Sequence, residues 1–415
     1  MGFAQGVSGL NASASNLDVI GNNIANSGTI GFKSGTAQFS DVYAGSRVGL
    51  GTQVAGVSQN FTSGAVQTSS RALDVAIVNG DGFFRLASPG GEIAYSRNGQ
   101  FNMNKDGFIV NSGGMQLTGY PVGANGSVAG GSPAPLQLPT TAMQPNSTQN
   151  IAAQFNLDSR SAAIPAATAF DANDSTTYNY ANAVTVYDSL GNSHELSTFF
   201  VKTASNQWDA YATADGKPLA SGGALATAPP AAPVAGKQGT LTFDTNGNLT
   251  SAPSIAFAGL DFGNGSGPMA FAVDVTGTTQ FGNANDVKKL TQDGYTSGTL
   301  TSFAINQDGT VTGKYSNEQA KALGQIVLSS FVNPNGLQPK GDNVWAETSA
   351  SGQPLTGTPG AGTKLGALTS GALEASNVDL TSELVNLIIA QRTYQANAQT
   401  VKTQDQVMQT LVNMR

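Results

Sequence analysis

The sequence predicts a mixed, mainly β protein: two nested β-rich domains, flanked at the chain ends by α-helices that pair as a coiled coil on assembly. Three observations lead there. The last forty residues, 376–415, hold neither Gly nor Pro, in a chain with 51 Gly and 17 Pro. Both ends carry apolar residues at heptad spacing. Between them, short period-two apolar runs are separated by Asn-Gly and Asp-Gly dipeptides, the mark of hairpins.

At the C-terminal end, Leu380, Leu384, Leu387, Gln391, Tyr394, Ala398, Val401, Asp405, Met408 and Val412 follow at alternating steps of four and three. This is a heptad seam with polar interruptions at Gln391 and Asp405. Asn377 or Asp379 can cap its start, Asp379 and Glu383 sit near the positive end of the helix dipole, and Arg415 sits at the negative end. At the N-terminal end, Val7, Leu10, Ala14, Leu17, Gly21 and Ile24 repeat the spacing in a shorter stretch, with Asp18 the sole charge before Lys33. One helix cannot bury such a stripe alone. Docking on the protein's own core is one reading. The other is that the two ends form helices together, in an assembly. The Asn, Ser and Gly of the first helix are weak helix formers and favour the second.

These ends also carry a resemblance. Ser8-Gly9-Leu10-Asn11-Ala12, Leu17 to Asn26 (with Asn22, Asn23 and Asn26), and Gly31-Phe32-Lys33 resemble the N-terminal signature of the bacterial flagellar rod and hook axial family. Glu383 to Ile388, Gln391 to Asn397 and Thr410-Leu411 are similar to that family's C-terminal motif. The long middle region points to the hook members of the family, since the shorter rod proteins usually lack an insertion such as 146–285.

The middle is organised in nested order. Residues 1–30 and 372–415 are the terminal helices, and 31–70 and 352–371 read as flexible connectors rich in Gly, Ser and Thr. Phe32, Phe39, Val42 and Tyr43 are spaced to anchor the first connector, and Val48 begins short extended pieces; a disordered linker is its rival reading. Residues 71–145 and 286–351 form a β-rich domain, with strands near Leu73–Val78, Gly82–Leu86, Ile93–Tyr95 and Phe108–Val110, then Thr299–Asn306, Val311–Tyr315 and Ile326–Phe331. Trp345 supplies an aromatic anchor. Residues 146–285 form an inserted β domain, with a hairpin turning at Leu190-Gly191-Asn192, a strand from Trp208, and another hairpin turning at Asn246-Gly247. The tracts 121–150 and 218–237, rich in Gly, Pro and Ala, read as a boundary and a surface loop. Asn102 to Asp106 resembles half of a calcium loop, but Gly113 stands where the bidentate Glu belongs, so a hairpin turn is the better reading.

Composition narrows the function. Charged residues make up 11% of the chain, the net charge is −7, and no basic run is present, which argues against nucleic acid and anionic membrane as partners. There is no cysteine, hence no disulfide or thiolate metal site. No stretch approaches a membrane span, and no basic region followed by an apolar run marks a cleaved signal peptide. His194 is the single histidine, expected as a solvated surface residue, and no Gly-x-Ser-x-Gly elbow, phosphate loop or His pair accompanies it. No catalytic residue, cofactor or metal site is expected, and the protein reads as a non-enzyme.

The resemblance implies a structural subunit of the flagellar hook, a homopolymer forming a curved tube that acts as a universal joint. It implies export through the flagellar type III apparatus to the cell exterior. It also implies contacts with the distal rod, the hook–filament junction proteins and the hook cap. Repeating a contact that does not close on itself gives a helical polymer. The helices would form its inner tube, and connectors 27–70 and 352–371 would absorb bending. The residues expected at the assembly contact are Val7, Leu10, Ala14, Leu17 and Ile24, with Leu380, Leu384, Leu387, Tyr394, Ala398, Val401, Met408 and Val412. Two alternatives stand: another axial protein such as the distal rod, or a secreted β-rich carbohydrate-binding protein whose helices merely dock.

Overall fold

The structure is a computed structural model that describes residues 2–42, 49–123, 126–128, 130–225, 236–360 and 364–413. Tyr43, Val48, Arg415 and part of the 218–237 tract lie outside the described residues. The chain divides into two compact units. One comprises residues 1–140, 301–314 and 320–415, and the other 141–300 with 315–319. The second unit has wider limits than the 146–285 expected for the insertion.

In the first unit, helix α1 spans Gly2–Ala25 and helix α2 spans Leu380–Asn413. Strand β1 (Gly35–Asp41) pairs antiparallel with β2 (Thr52–Gln59), with a bulge after Gln38. Strand β3 (Val66–Thr68) pairs with Ala372–Glu374, and β4 (Val75–Val78) pairs with Ala367–Ser370. The strand Leu355–Gly357 pairs with Leu328–Ser330. The two stretches expected as flexible connectors therefore carry strands. β2 overlaps the extended pieces read from Val48, while β3 and the strand Ala367–Ser370 are short and find their partners far away in the sequence, so no local apolar period marks them.

Strands β5 (Phe83–Ala87) and β6 (Ile93–Ser96) lie inside a larger antiparallel sheet. Its path runs Leu300–Ile305, Thr310–Tyr315, Ala320–Ile326, Gln116–Pro121, β5, β6, Val344–Ala346 and Gln338–Gly341. Turn chemistry sets several of its corners. Asn104 Oδ1 accepts the N–H groups of Asp106 (3.0 Å) and Phe108 (2.9 Å), closing the hairpin between Asn102–Met103 and Ile109–Val110. Phe84, Leu86, Phe101, Ile109, Leu117, Ile326 and Leu328 are the fully buried heart of the unit. Leu136 and Leu138 join that core, so part of the expected boundary 121–150 is packed chain. Trp345 packs with Phe61, Phe83, Tyr95 and Phe331 in a second, aromatic cluster.

The second unit is built of two sheets. One runs Ser254–Leu260, Met269–Asp274, Asn150–Asn156 and Asp286–Gln292, with Asn150–Asn156 parallel to Met269–Asp274. The other runs Tyr180–Tyr187, Ser193–Ala204, Gln207–Ala214 and Lys217–Pro218, with Gly239–Thr242 also on Gln207–Ala214. Alternating inward residues of both sheets (Ile151, Phe155, Leu196, Phe200, Trp208, Leu241, Phe257, Phe271) form its core. Trp208 is fully buried, and its Nε1–H donates to Gln280 Oε1 at 2.9 Å, which satisfies the one polar atom of the ring.

Candidate functional site

The two terminal helices pack on each other within one chain, and they do so antiparallel. Gly6 faces Val401, Gly9 and Ser13 face Asn397, and Asn23 faces Glu383, so numbers rise on α1 as they fall on α2. The approach is close. A Cβ at Gly6 would lie 2.8 Å from Val401 Cγ2, and one at Gly9 would lie 2.9 Å from Asn397 Nδ2. A side chain at either glycine would have to displace the Val401 or Asn397 side chain. Asn397 Nδ2 lies 3.4 Å from Ser13 Oγ, and Asn23 Nδ2 lies 3.3 Å from Glu383 Oε1. A groove of about 550 Å³ runs among α1, the β1–β2 hairpin and α2, lined by Ser13, Asn16, Ile20, Asn23, Asn386, Ala390 and Thr393 among others.

The heptad period holds on both helices, but the face differs from the expected one. On α1 the residues turned to α2 and the hairpin are Gly6, Gly9, Ser13, Asn16, Ile20 and Asn23. Each precedes by one the expected Val7, Leu10, Ala14, Leu17, Gly21 and Ile24. On α2 they are Glu383, Asn386, Ala390, Thr393 and Asn397, each one before the expected stripe, together with the expected Val401, which packs on Gly6. A shift of one residue turns a helix face by about 100°. The physical reason is size: Gly, Ala, Ser and Asn let the two backbones come together, whereas Leu and Tyr at those positions would hold them apart.

The expected seam residues consequently divide. Val7, Leu10, Ala14, Leu17 and Ile24 are half-buried, as are Leu387, Ala398 and Val401. Leu380, Leu384, Tyr394, Met408 and Val412 are exposed, by 40–71%. Beside them, Val385, Ile388, Ile389 and Val407 are also exposed, by 50–57%. Helix α2 thus pairs internally through small and polar residues and leaves its large aliphatic side chains uncovered, which is uncommon on a monomer surface.

The motif residues hold the helix ends. Asp379, not Asn377, caps α2: its Oδ1 accepts the N–H of Thr381 at 2.9 Å. Asn23 is buried and clamps β1 from both sides, accepting Gly35 N–H at 2.9 Å and donating to Gly35 O at 2.8 Å. Asn26 Nδ2 reaches Asn22 Oδ1 (2.8 Å), and Asn26 Oδ1 accepts from Thr29, which ends α1. Asn11 is exposed and Phe32 half-buried. Gly31 has φ +71°, and Lys33 is buried against Glu374 at 2.6 Å. Glu374, Arg97 and Asn377 belong to the same surroundings, and the first two carry no signal in the sequence, since a buried charge has no period.

His194 differs from its expected role as a solvated residue. It is buried, its ring lies stacked 3.5 Å from the ring of Phe262, and its nitrogens face Asp215 (2.7 Å) and Asp188 (3.4 Å). Burial would raise the Asp188 carboxyl, but hydrogen bonds from Asn192, Asn264 and His194 outweigh it and hold the group well below the usual carboxylate range. The arrangement fastens the 188–192 turn. Among the described residues no group of three His, Cys, Asp or Glu is placed to hold a metal, and no helix is long and apolar enough to cross a membrane.

Comparison with known proteins decides the family. Family models match at residues 5–33 (flagella basal body rod protein), 77–154 (flagellar hook protein FlgE/F/G D1 domain), 156–295 (flagellar basal body protein FlaE D2 domain) and 369–414 (flagellar basal body rod FlgEFG protein C-terminal). The chain is 50% identical to the flagellar hook protein FlgE of Salmonella typhimurium over 418 residues, covering 100% of both chains. The chain belongs to the flagellar hook protein family. The hook protein FlgE of Escherichia coli K12 is 49% identical, again over 100% of both, and that of Borreliella burgdorferi is 33% identical over 99% of this chain and 98% of its own. A crystal structure of the Helicobacter pylori hook protein FlgE2 shares the fold, with a TM-score of 0.52 at 14% identity, over 74% of this chain and 99% of that one. This hook-family member is therefore a structural component of the bacterial flagellum.

Proposed function

We propose that this chain is the subunit of a curved tube in the flagellar hook. The wall of the tube is built from the terminal helices, and its bending lets it act as a universal joint between rod and filament. The observation that supports this most is the exposed aliphatic face of α2. Leu384, Val385 and Ile388 lie uncovered on a helix whose internal partner is already engaged through Ala390 and Asn397. Covering that face with a neighbouring copy removes apolar area from water at every repeat, and a head-to-tail contact that does not close propagates as a helix. The distal rod below, the junction proteins above, a hook cap during growth and the type III export apparatus are the partners this role requires, and the site of action is outside the cell.

Electron microscopy of purified protein under salting-out conditions tests the proposal, comparing the full chain with one lacking residues 1–30 and 376–415. Curved tubes from the full chain alone are expected. Rigid straight tubes would favour a rod role. Monomers from both chains at every concentration would end the assembly reading.

A further inference from the structure

A buried ionic cluster lies outside the helix contact, where both terminal segments meet the β domain of the first unit. Glu374 is its centre. Its Oε1 receives Lys33 Nζ at 2.6 Å and the backbone N–H of Gly64 at 2.9 Å, and its Oε2 faces Arg97 Nη1 at 3.3 Å. Lys33 Nζ also donates to the Thr62 carbonyl at 2.8 Å. The side chains of Lys33, Glu374 and Arg97 are 0, 1 and 2% exposed. Two cations therefore share one carboxylate away from water. Burial pushes the Lys33 ammonium below its ordinary value, and the Glu374 charge opposes that.

The backbone is tied at the same place. Gly31 N–H donates to the Glu374 carbonyl at 2.8 Å, and a Cβ at Gly31 would stand 2.7 Å from Asn98 N. Asn377 Oδ1 accepts Ser34 N–H at 2.8 Å, while its Nδ2 donates to Asn60 O at 2.7 Å. Three segments, those leaving α1, entering β3 and entering α2, converge there on Arg97 at the end of β6. None of these groups belongs to the apolar core formed around Phe84, Leu86 and Leu117.

We infer that Glu374, with Lys33 and Arg97, is a fastening that sets where both terminal helices depart from the β domain, and that force on the helices reaches the domain through it. The second half rests on the tube reading; the first does not. Removing the carboxylate leaves two buried cations facing each other, so the fastening opens as a unit instead of weakening gradually. Being buried, it is also screened by added salt far less than a surface ion pair.

Hydrogen exchange of the soluble full-length chain tests this, comparing wild type with Glu374→Gln, Glu374→Asp and Lys33→Met. In Glu374→Gln, amides of 31–34, 60–66 and 372–378 are expected to exchange at least about tenfold faster, with the strand 83–87 unchanged. Glu374→Asp, which keeps the charge, is expected to recover part of the protection. Unchanged exchange in those segments overturns the inference, and so does an equal rise in 83–87, which would mean general destabilisation. Should Glu374→Gln fail to fold, Lys33→Met carries the test: faster exchange confined to 31–34 and 60–66 upholds the fastening, and none overturns it. A wild-type chain that forms no tubes would end the tube reading while leaving this exchange result intact.

Discussion

Replacing Leu384 separates the contact inside the chain from the contact between chains. The side chain is 45% exposed, on the face of α2 that α1 does not cover. Complete burial of a leucine contributes about 1.5–3 kcal/mol, and roughly half of that is already realised in the single chain, so assembly would add about 1 kcal/mol. Leu384→Ala should therefore raise the concentration needed for tubes about fivefold, since about 1.4 kcal/mol is tenfold. Leu384→Asp puts a carboxylate into the newly buried contact. Stripping that charge of water adds several kcal/mol, so the threshold should rise by more than about a hundredfold. The melting of the soluble chain should stay within about 1 kcal/mol of wild type, because the site is a half-exposed helix position. Sedimentation of polymer across a concentration series at fixed salt measures the threshold, and calorimetry measures the melt. Ala390→Asp is the opposite control: at 4% exposure within the internal pair, it should damage the single chain first. Tubes from Leu384→Asp at the wild-type threshold would refute the reasoning, because the exposed face would then not be the surface that copies share.

Three further perturbations read neighbouring parts of the structure. Gly9→Leu forces a side chain against Asn397, costing about 1–3 kcal/mol of helix pairing, visible as lost helical circular dichroism; unchanged ellipticity and melting would mean the close approach is not maintained. Asn23→Ala removes both bonds to Gly35 and should cost about 1–3 kcal/mol locally, measured as faster exchange in β1 and β2 with the larger sheet unaffected. The depressed Asp188 carboxyl stabilises the second unit fully above its unfolded value of about 4, and that stability is lost as pH falls through the lower folded value. Trp208 fluorescence should therefore report weakening in acid that Asp188→Asn flattens, and an identical acid profile in the variant would contradict the assignment.

The elements that carry their own period were legible in the sequence. Helix α2 runs Leu380–Asn413 where a Gly- and Pro-free heptad stretch was read, and the turns at Asp106-Gly107 and Asn246-Gly247 have glycines at φ +85° and +82°. The strand at β4 and the extended run at β2 were legible, but the β1–β2 hairpin and the partners of β3 and β4 were not, because polar and small residues fill β1 and those partners come from the far end of the chain. Lys33 was singled out as a motif residue, but its partner Glu374 gives no periodic signal. His194 was misplaced for a related reason: burial of a lone polar side chain depends on which turns fold over it, here those of Asp188 and Asp215.

The one-residue rotation of both helix faces bears on how such a chain stays single before it assembles. A rule that turns the largest apolar residues toward the nearest partner would have paired Leu384 and Tyr394 with Leu10 and Leu17 inside the chain, leaving less apolar surface to recruit a second copy. Gly6, Gly9 and Ser13 against Asn397 and Val401 make a close contact through mostly small and polar side chains. Its stability is accordingly modest, and α1, built of weak helix formers, depends on it and on the clamp of Asn23 to β1. The stronger hydrophobic stripe is held outward, and covering it in an assembly would also stabilise the internal pair, because helix formation and docking are coupled. Replacing small seam residues with larger apolar ones, as in Ala390→Leu, should therefore disturb the internal pair and impair tubes without touching the outward stripe. An Ala390→Leu chain that assembles at the wild-type threshold would show that the internal seam is dispensable.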